Sequence, residues 1–185
     1  VFESDFTDKI PFNETIDELL FRLVGVFNEF DFKVLPTEVI GYILENLVPQ
    51  EEKQKFGQYF TSETLANLVT FSAIKSRNDV LIDPTSGTGT FLNSFYNTLQ
   101  FFGNKSHQQI LNQIWGNDIS HFPATLSVIS LYKQKVDDTA NFPRIIRKDF
   151  FTITPSQTIA IPDNKDIDKI NQIPIPKFDA VISNF

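Results

Sequence analysis

Residues Asp79 to Leu92 constrain this chain more than any other stretch: Asp-Val-Leu-Ile-Asp-Pro-Thr-Ser-Gly-Thr-Gly-Thr-Phe-Leu. Val80 to Ile82 read as a buried strand, Asp83 as its acidic tip, Gly87 and Gly89 as a tight turn, and Thr90 onward as a helix. A strand feeding a Gly-x-Gly turn places backbone amides and positions without side chains where a bulky adenosine cofactor can lie close. Many nucleotide-binding α/β domains share this arrangement, so the rest of the chain must narrow the reading.

Downstream, strands are expected at 80–83, 113–118, 144–148 and 178–183, with helices at 90–102 and 123–136. Strands separated by helical patterns predict an α/β fold with a parallel sheet and right-handed crossovers. Residues 152–177 break the rhythm with Pro155, Pro162, Pro174, Pro176 and the polar run Asp163 to Asp168, and read as a surface excursion. Upstream, residues 13–30 read as an amphipathic helix. Asn13 is its N-cap, and Ile16, Leu19, Leu20, Leu23, Val24 and Phe27 form one face. A second helix begins near Pro36 and carries Val39, Ile40, Ile43, Leu44 and Leu47; Pro49 stops it before a charged linker. Residues 1–55 are therefore expected to form an N-terminal helical annex capping the sheet, with contact to DNA or a partner as the alternative. Residues 56–185 form the sheet domain, opened by a helix that Thr61 or Ser62 caps and that runs to about Lys75.

With 185 residues, 41% hydrophobic and 21% charged, the chain has the composition of a soluble domain with one core. The absence of Cys excludes disulfides, thiolate catalysis and Cys-ligated zinc, and with two His no metal site is expected. His107 and His121 are assigned to structure or solvent. No apolar run approaches membrane length and no signal segment is visible, so a cytoplasmic location without membrane contact is expected. A chain that starts at Val1 and has no Met is expected to lack its native start. The net charge of −7 speaks against this chain gripping DNA by itself, because phosphate contacts supply most of such affinity.

The second strand ends in Trp115-Gly116-Asn117-Asp118-Ile119. An acid at this point of a nucleotide-binding sheet accepts hydrogen bonds from ribose hydroxyls, and Ile119 could lie against an adenine face. The alternative for Asp118 is a helix cap, and the two roles are compatible. Asp83 could equally cap its own turn.

Three segments carry a resemblance when taken in order: Gly57-Gln58-Tyr59-Phe60-Thr61, then Asp83-Pro84-Thr85-Ser86-Gly87-Thr88-Gly89, then Phe178 to Phe185 with its Ser183-Asn184-Phe185 ending. Together they resemble the amino-methyltransferases that modify adenine-N6 in DNA, in particular the modification (M) subunit of type I restriction-modification systems. The resemblance runs from about Thr37 to Phe185. It departs from the family at Ser62, where Pro is usual, and at Phe185, where Pro usually follows the Asn.

The resemblance implies a Rossmann-like, S-adenosylmethionine-dependent methyltransferase sheet. It implies Asp83, with Thr85, Gly87 and Gly89, around the cofactor's methionine portion, and Asp83 accepting from its ammonium. Asp118 and Ile119 take the ribose and adenine; Asp149 accepts from the adenine amino group and Phe150 packs beside the ring, a solvated strand-end Asp being the alternative. Thr61, before a helix N-terminus, would hold the cofactor carboxylate, with Tyr59 and Phe60 facing the sulfonium. Asn184 would be catalytic, its side-chain oxygen and the Phe185 backbone carbonyl accepting both amino hydrogens of the target adenine. The implied partners are DNA, reached through a further recognition domain or specificity subunit, and restriction and specificity subunits. Rival readings are a protein-glutamine or RNA methyltransferase with the same Asn motif, a non-catalytic assembly subunit, and a dinucleotide-dependent oxidoreductase. The last is disfavoured because a third glycine is missing from the loop.

Overall fold

The run Val80-Leu81-Ile82 has no polar alternation, and a strand of that kind is stable only where both its faces are covered. The computed structural model describes residues 13–29, 61–103, 105–138, 141–163 and 169–184, and shows how that cover is built. The described elements are α1 (Glu14–Phe27), α2 (Glu63–Ala73), β1 (Leu81–Asp83), α3 (Thr90–Phe101), α4 (His107–Leu111), β2 (Ile114–Asn117), α5 (His121–Tyr132), β3 (Arg144–Ile146), β4 (Thr158–Pro162), β5 (Ile170–Pro174) and β6 (Ala180–Val181). Strands β3, β2, β1 and β6 lie in that order and all pair in parallel. The expected α/β fold with a parallel sheet is therefore present.

Successive residues of a strand point to opposite faces, and each strand here uses both. Leu81, Ile114 and Ile145 enter one core with Leu92, Phe95 and Leu99 of α3 and Leu131 of α5. Ile82, Trp115 and Ile146 enter a second core with Ile175, against which Ile153, Ile159, Ile173 and Phe178 pack. The fully buried Trp115 ring meets Phe178 edge-on at 5.9 Å, and the Arg144 guanidinium lies 5.1 Å from its centroid. Asn112 holds that guanidinium through its carbonyl (3.1 Å) and its side-chain oxygen (2.6 Å).

The second core corrects the expectation for residues 152–177. Rather than a mere excursion, they contain an antiparallel hairpin, β4 with β5, paired from Thr158 opposite Pro174 to Pro162 opposite Ile170. Pro162 and Pro174 stand at the strand ends, where a missing N–H costs little. The inward side chains Ile159 and Ile173 cover the sheet face that α3 and α5 leave open.

Several expected boundaries shrink. Strand 113–118 spans Ile114–Asn117, strand 144–148 stops at Ile146, and strand 178–183 pairs only over Ala180–Val181. Past Ile146 the chain turns into a 3-10 segment, Phe150–Thr152, so the third strand cannot extend to Lys148. The helix expected at 123–136 starts at His121, ends at Tyr132 and continues as a 3-10 turn, Lys133–Lys135. The helix expected to reach Lys75 ends at Ala73; Ser62 caps it, accepting from the Leu65 amide at 3.3 Å.

Of the two assignments open to His107, structure is the one it takes. It opens α4, is buried, and lies between Tyr96 Oη (2.9 Å from Nδ1) and Asn141 Oδ1 (2.9 Å from Nε2). Asn141 Nδ2 donates to the Tyr132 and Lys135 carbonyls, so its oxygen must accept from Nε2–H. Both ring nitrogens thus have buried partners, and His107 is a structural histidine.

At the N-terminal end, Asn13 caps α1 as expected, accepting from the Ile16 amide at 2.9 Å. Leu19, Leu20, Leu23 and Val24 of that helix are exposed. The helix expected from Pro36 and the linker at 50–55 lie outside the described residues.

Candidate active site

The glycine turn after β1 is tied down by its neighbours. The Ser86 amide donates to the Asn117 carbonyl at 2.8 Å, and Asn117 Nδ2 donates to the Pro84 carbonyl at 2.9 Å. From α5, the Ser127 hydroxyl lies 2.8 Å from Ser86 Oγ and 3.0 Å from the Gly87 carbonyl. Gly87 and Gly89 have φ of +52° and +90°. A Cβ on Gly89 would come within 3.1 Å of Ser130 Cβ and 3.4 Å of Ser127 Cα, whereas one on Gly87 would meet nothing nearer than the Thr85 carbonyl at 4.0 Å. The two glycines thus have different causes: Gly89 lets α5 approach, and Gly87 leaves open space beside the turn. Gly89→Ala should cost roughly 2–3 kcal/mol of stability from backbone strain plus the clash with α5. Gly87→Ala should cost only about 1 kcal/mol. Urea denaturation of both variants checks this ordering, and equal losses would contradict it.

Two carboxylates flank the turn. Asp83 is fully buried, and its Oδ1 accepts from the Thr85 amide (3.0 Å) and the Ser183 hydroxyl (2.8 Å). Burial pushes its pKa up to about 7 against those two hydrogen bonds, and the Asp118 charge adds to the rise. Asp118 stands one residue beyond β2. Its Oδ2 accepts from the Gly87 amide at 3.1 Å and its Oδ1 from the Ser120 amide at 2.8 Å, in the turn before α5, whose N-cap is Ser120 rather than Asp118. Burial raises its pKa as well, opposed by the same two amides. Ile119, beside Asp118, is 69% exposed.

The end of the chain reaches the same place. β6 pairs with β1, which brings Ser183 and Asn184 over the tip of β1. The Ser183 hydroxyl lies between Asp83 and the Thr85 hydroxyl, with a short hydrogen bond to the latter. Thr85 Oγ1 also lies 3.4 Å from the Asn184 carbonyl. The exposed Asn184 side chain donates from Nδ2 to Thr61 Oγ1 at 3.1 Å, just before the N-cap of α2. Thr61, Asp83, Thr85 and Asn184, far apart in sequence, therefore form one hydrogen-bonded cluster through Ser183 at the carboxyl edge of the sheet, and Gly87 with Asp118 forms a second pair beside it.

Other expected residues are not joined to it. Asp149 is exposed and caps the 3-10 turn by accepting from the Phe151 amide at 3.0 Å. It lies three residues past Ile146, whose carbonyl accepts from the Asp118 amide at 3.1 Å, so it shares the edge without touching the cluster. Phe150 packs against the second core. Tyr59, Phe60 and Phe185 lie outside the described residues. The sequence reading missed Ser183, Asn117 and Ser127 as parts of the site. Ser183 was findable, as the hydroxyl immediately before the Asn; Asn117 and Ser127 act through the fold and carry no local signal.

The N-6 DNA Methylase family matches the chain over residues 35–185. No curated protein matches it at a significant level. Among solved structures, the chain is similar to one described as the modification subunit of a type I restriction enzyme from Vibrio vulnificus. The identity is 18%, the TM-score 0.54, and the match covers 71% of this chain and 28% of that one. It is also similar to one described as a class I S-adenosylmethionine-dependent methyltransferase from Listeria monocytogenes, at 14% identity and a TM-score of 0.46, covering 85% of this chain and 50% of that one. This chain thus spans about a quarter of the first of these proteins and half of the second. The family match extends over most of the chain and includes the glycine turn, Asp83, Asp118 and Asn184: the chain belongs to the N-6 DNA Methylase family.

Proposed function

We propose that this chain is the cofactor-binding and catalytic core of a DNA adenine-N6 methyltransferase that uses S-adenosylmethionine. The observation that carries this reading is the hydrogen-bonded cluster joining Asn184 to Asp83, Thr85 and Thr61, beside Gly87 and Asp118. When bound, S-adenosylmethionine supplies an electrophilic methyl group on a sulfonium. The residues fit such a molecule: there is open space at Gly87, an exposed Ile119, a buried Asp83 and a half-buried Asp118.

In this reading Asp83 takes the ammonium of the methionine portion and Asp118 the ribose hydroxyls. Asp149 accepts from the adenine amino group, with Ile119 and Phe150 against the ring. Thr61 holds the carboxylate, and Tyr59 and Phe60 face the sulfonium. Asn184 and the Phe185 carbonyl accept the two amino hydrogens of the target base. Adenine's amino lone pair is delocalised into its ring, so these acceptors matter most as the nitrogen becomes tetrahedral and attacks. A base must leave the duplex to reach such a site.

The likeness to a type I modification subunit supports DNA as substrate, with a recognition domain or specificity subunit and a restriction subunit as partners. The charge of −7 is consistent with a core that depends on such a partner for its grip on DNA.

Asp118→Ala should weaken S-adenosylmethionine binding by roughly 1.5–3 kcal/mol, the range for hydrogen bonds to a charged group. Isothermal calorimetry on both forms, with NAD as a control that should not bind, tests the cofactor assignment. Unchanged affinity in the variant would remove Asp118 from the site.

A further inference from the structure

We propose that Thr61 is a positioning residue that fixes which way the Asn184 amide points; this rests on Asn184 engaging the target amino group. An Asn amide can rotate by half a turn about χ2, exchanging its oxygen for its NH2 with little change of shape. Only one of those orientations serves the reaction. The target amino group offers hydrogens, so it needs the oxygen; an outward NH2 would set donor against donor.

The structure shows the amide in the useful orientation. Asn184 Nδ2 donates to Thr61 Oγ1 at 3.1 Å, and no described residue donates to Asn184 Oδ1. Asn184 is exposed, so packing does not hold its amide. Thr61 is well placed to do so. It directly precedes Ser62, whose side chain caps α2, and α2 packs along α3, the helix that leaves the glycine turn. The Asn184 main chain is held separately, by Thr85 at its carbonyl and through the β6–β1 pairing. Main chain and amide are thus fixed by different elements.

A hydroxyl can donate one hydrogen and still accept another. When Thr61 gives its proton to a carboxylate, as assigned above, its oxygen is left only to accept, and only the Asn184 NH2 can then meet it, which is what selects the orientation. The residue then has two separable roles, one in cofactor affinity and one in the chemical step.

The test uses the full-length enzyme with its partners and compares Thr61→Val, which keeps the shape but removes the hydroxyl, with Thr61→Ser, which keeps the hydroxyl. At saturating cofactor, Thr61→Val should lower kcat for DNA methylation roughly tenfold, about the weight of one hydrogen bond. Thr61→Ser should recover most of that rate. In an Asn184→Ala background, Thr61→Val should lower the single-turnover rate no further, because the group it acts through is gone. Cofactor dissociation constants measured by calorimetry separate the two roles. An unchanged kcat at saturating cofactor, or an undiminished loss in the Asn184→Ala background, would overturn the proposal. Wild-type enzyme that leaves DNA unmethylated would overturn the underlying reading of Asn184, and this inference with it.

Discussion

Asn184→Ala is expected to slow methyl transfer to adenine a hundred- to a thousandfold while leaving S-adenosylmethionine affinity nearly intact. The residue sits past β6, above Asp83 and Thr85, and its recorded side-chain contact is with Thr61 rather than with Asp118 or Gly87. In the proposed mechanism its oxygen meets an amino hydrogen whose charge grows as the nitrogen rehybridises. Losing one such preorganised partner costs about 2.7–4 kcal/mol in the transition state. Asn184→Asp should be milder, because a carboxylate keeps the acceptor. Single-turnover kinetics together with calorimetry on the full-length protein separate rate from binding. Near-normal turnover in the Ala variant would mean that Ser183-Asn184 is only a strand end.

Asp83→Asn is expected to remove a pH dependence of stability. Burial lifts the Asp83 carboxyl from 3.8 to about 7 in the folded chain. Between those values the folded protein keeps a proton that the unfolded chain has released. Stability from this group is therefore full below about pH 4, falls as pH rises, and is gone above about pH 7. At about 1.4 kcal/mol per unit over roughly three units, the change amounts to about 4 kcal/mol. Asn cannot titrate, yet its side-chain oxygen can still accept from Ser183 and the Thr85 amide. Urea denaturation from pH 4.5 to 7.5 should show wild type losing stability relative to the variant as pH increases. A difference that stays flat with pH would mean Asp83 is ionised throughout.

The parts of the fold legible in the sequence were those with a local cause. Val80 to Gly89 revealed strand, turn and helix because burial period and glycine conformation are written in adjacent residues. Asn13 and Ser62 revealed helix starts through side-chain caps. The β4–β5 hairpin was obscured because Pro162 and Pro174 look like strand breakers until they prove to be strand ends. His107 could be assigned only to structure or solvent, because the partners that make it structural, Tyr96 and Asn141, lie 11 and 34 residues away.

For the site, the resemblance supplied residue types and the sheet supplied their meeting place. Asp83, Thr85, Gly87, Asp118 and Asn184 converge because parallel strands deliver their carboxyl ends to one edge. What neither composition nor spacing could reveal was the wiring: Ser183 between Asp83 and Thr85, and Thr61 holding the Asn184 amide. Those links join residues about a hundred positions apart, and only pairing of β6 with β1 brings them together.

The central claim is adenine-N6 methylation, and the identity of the methylated nucleoside tests it most directly. The full-length protein, with any subunits that copurify with it, is incubated with DNA and methyl-labelled S-adenosylmethionine, and the DNA is digested and its nucleosides identified by mass spectrometry. The account predicts label in N6-methyladenosine of the deoxy series, lost in Asn184→Ala. Label in methylated cytosine, or in protein with none in DNA, would contradict it.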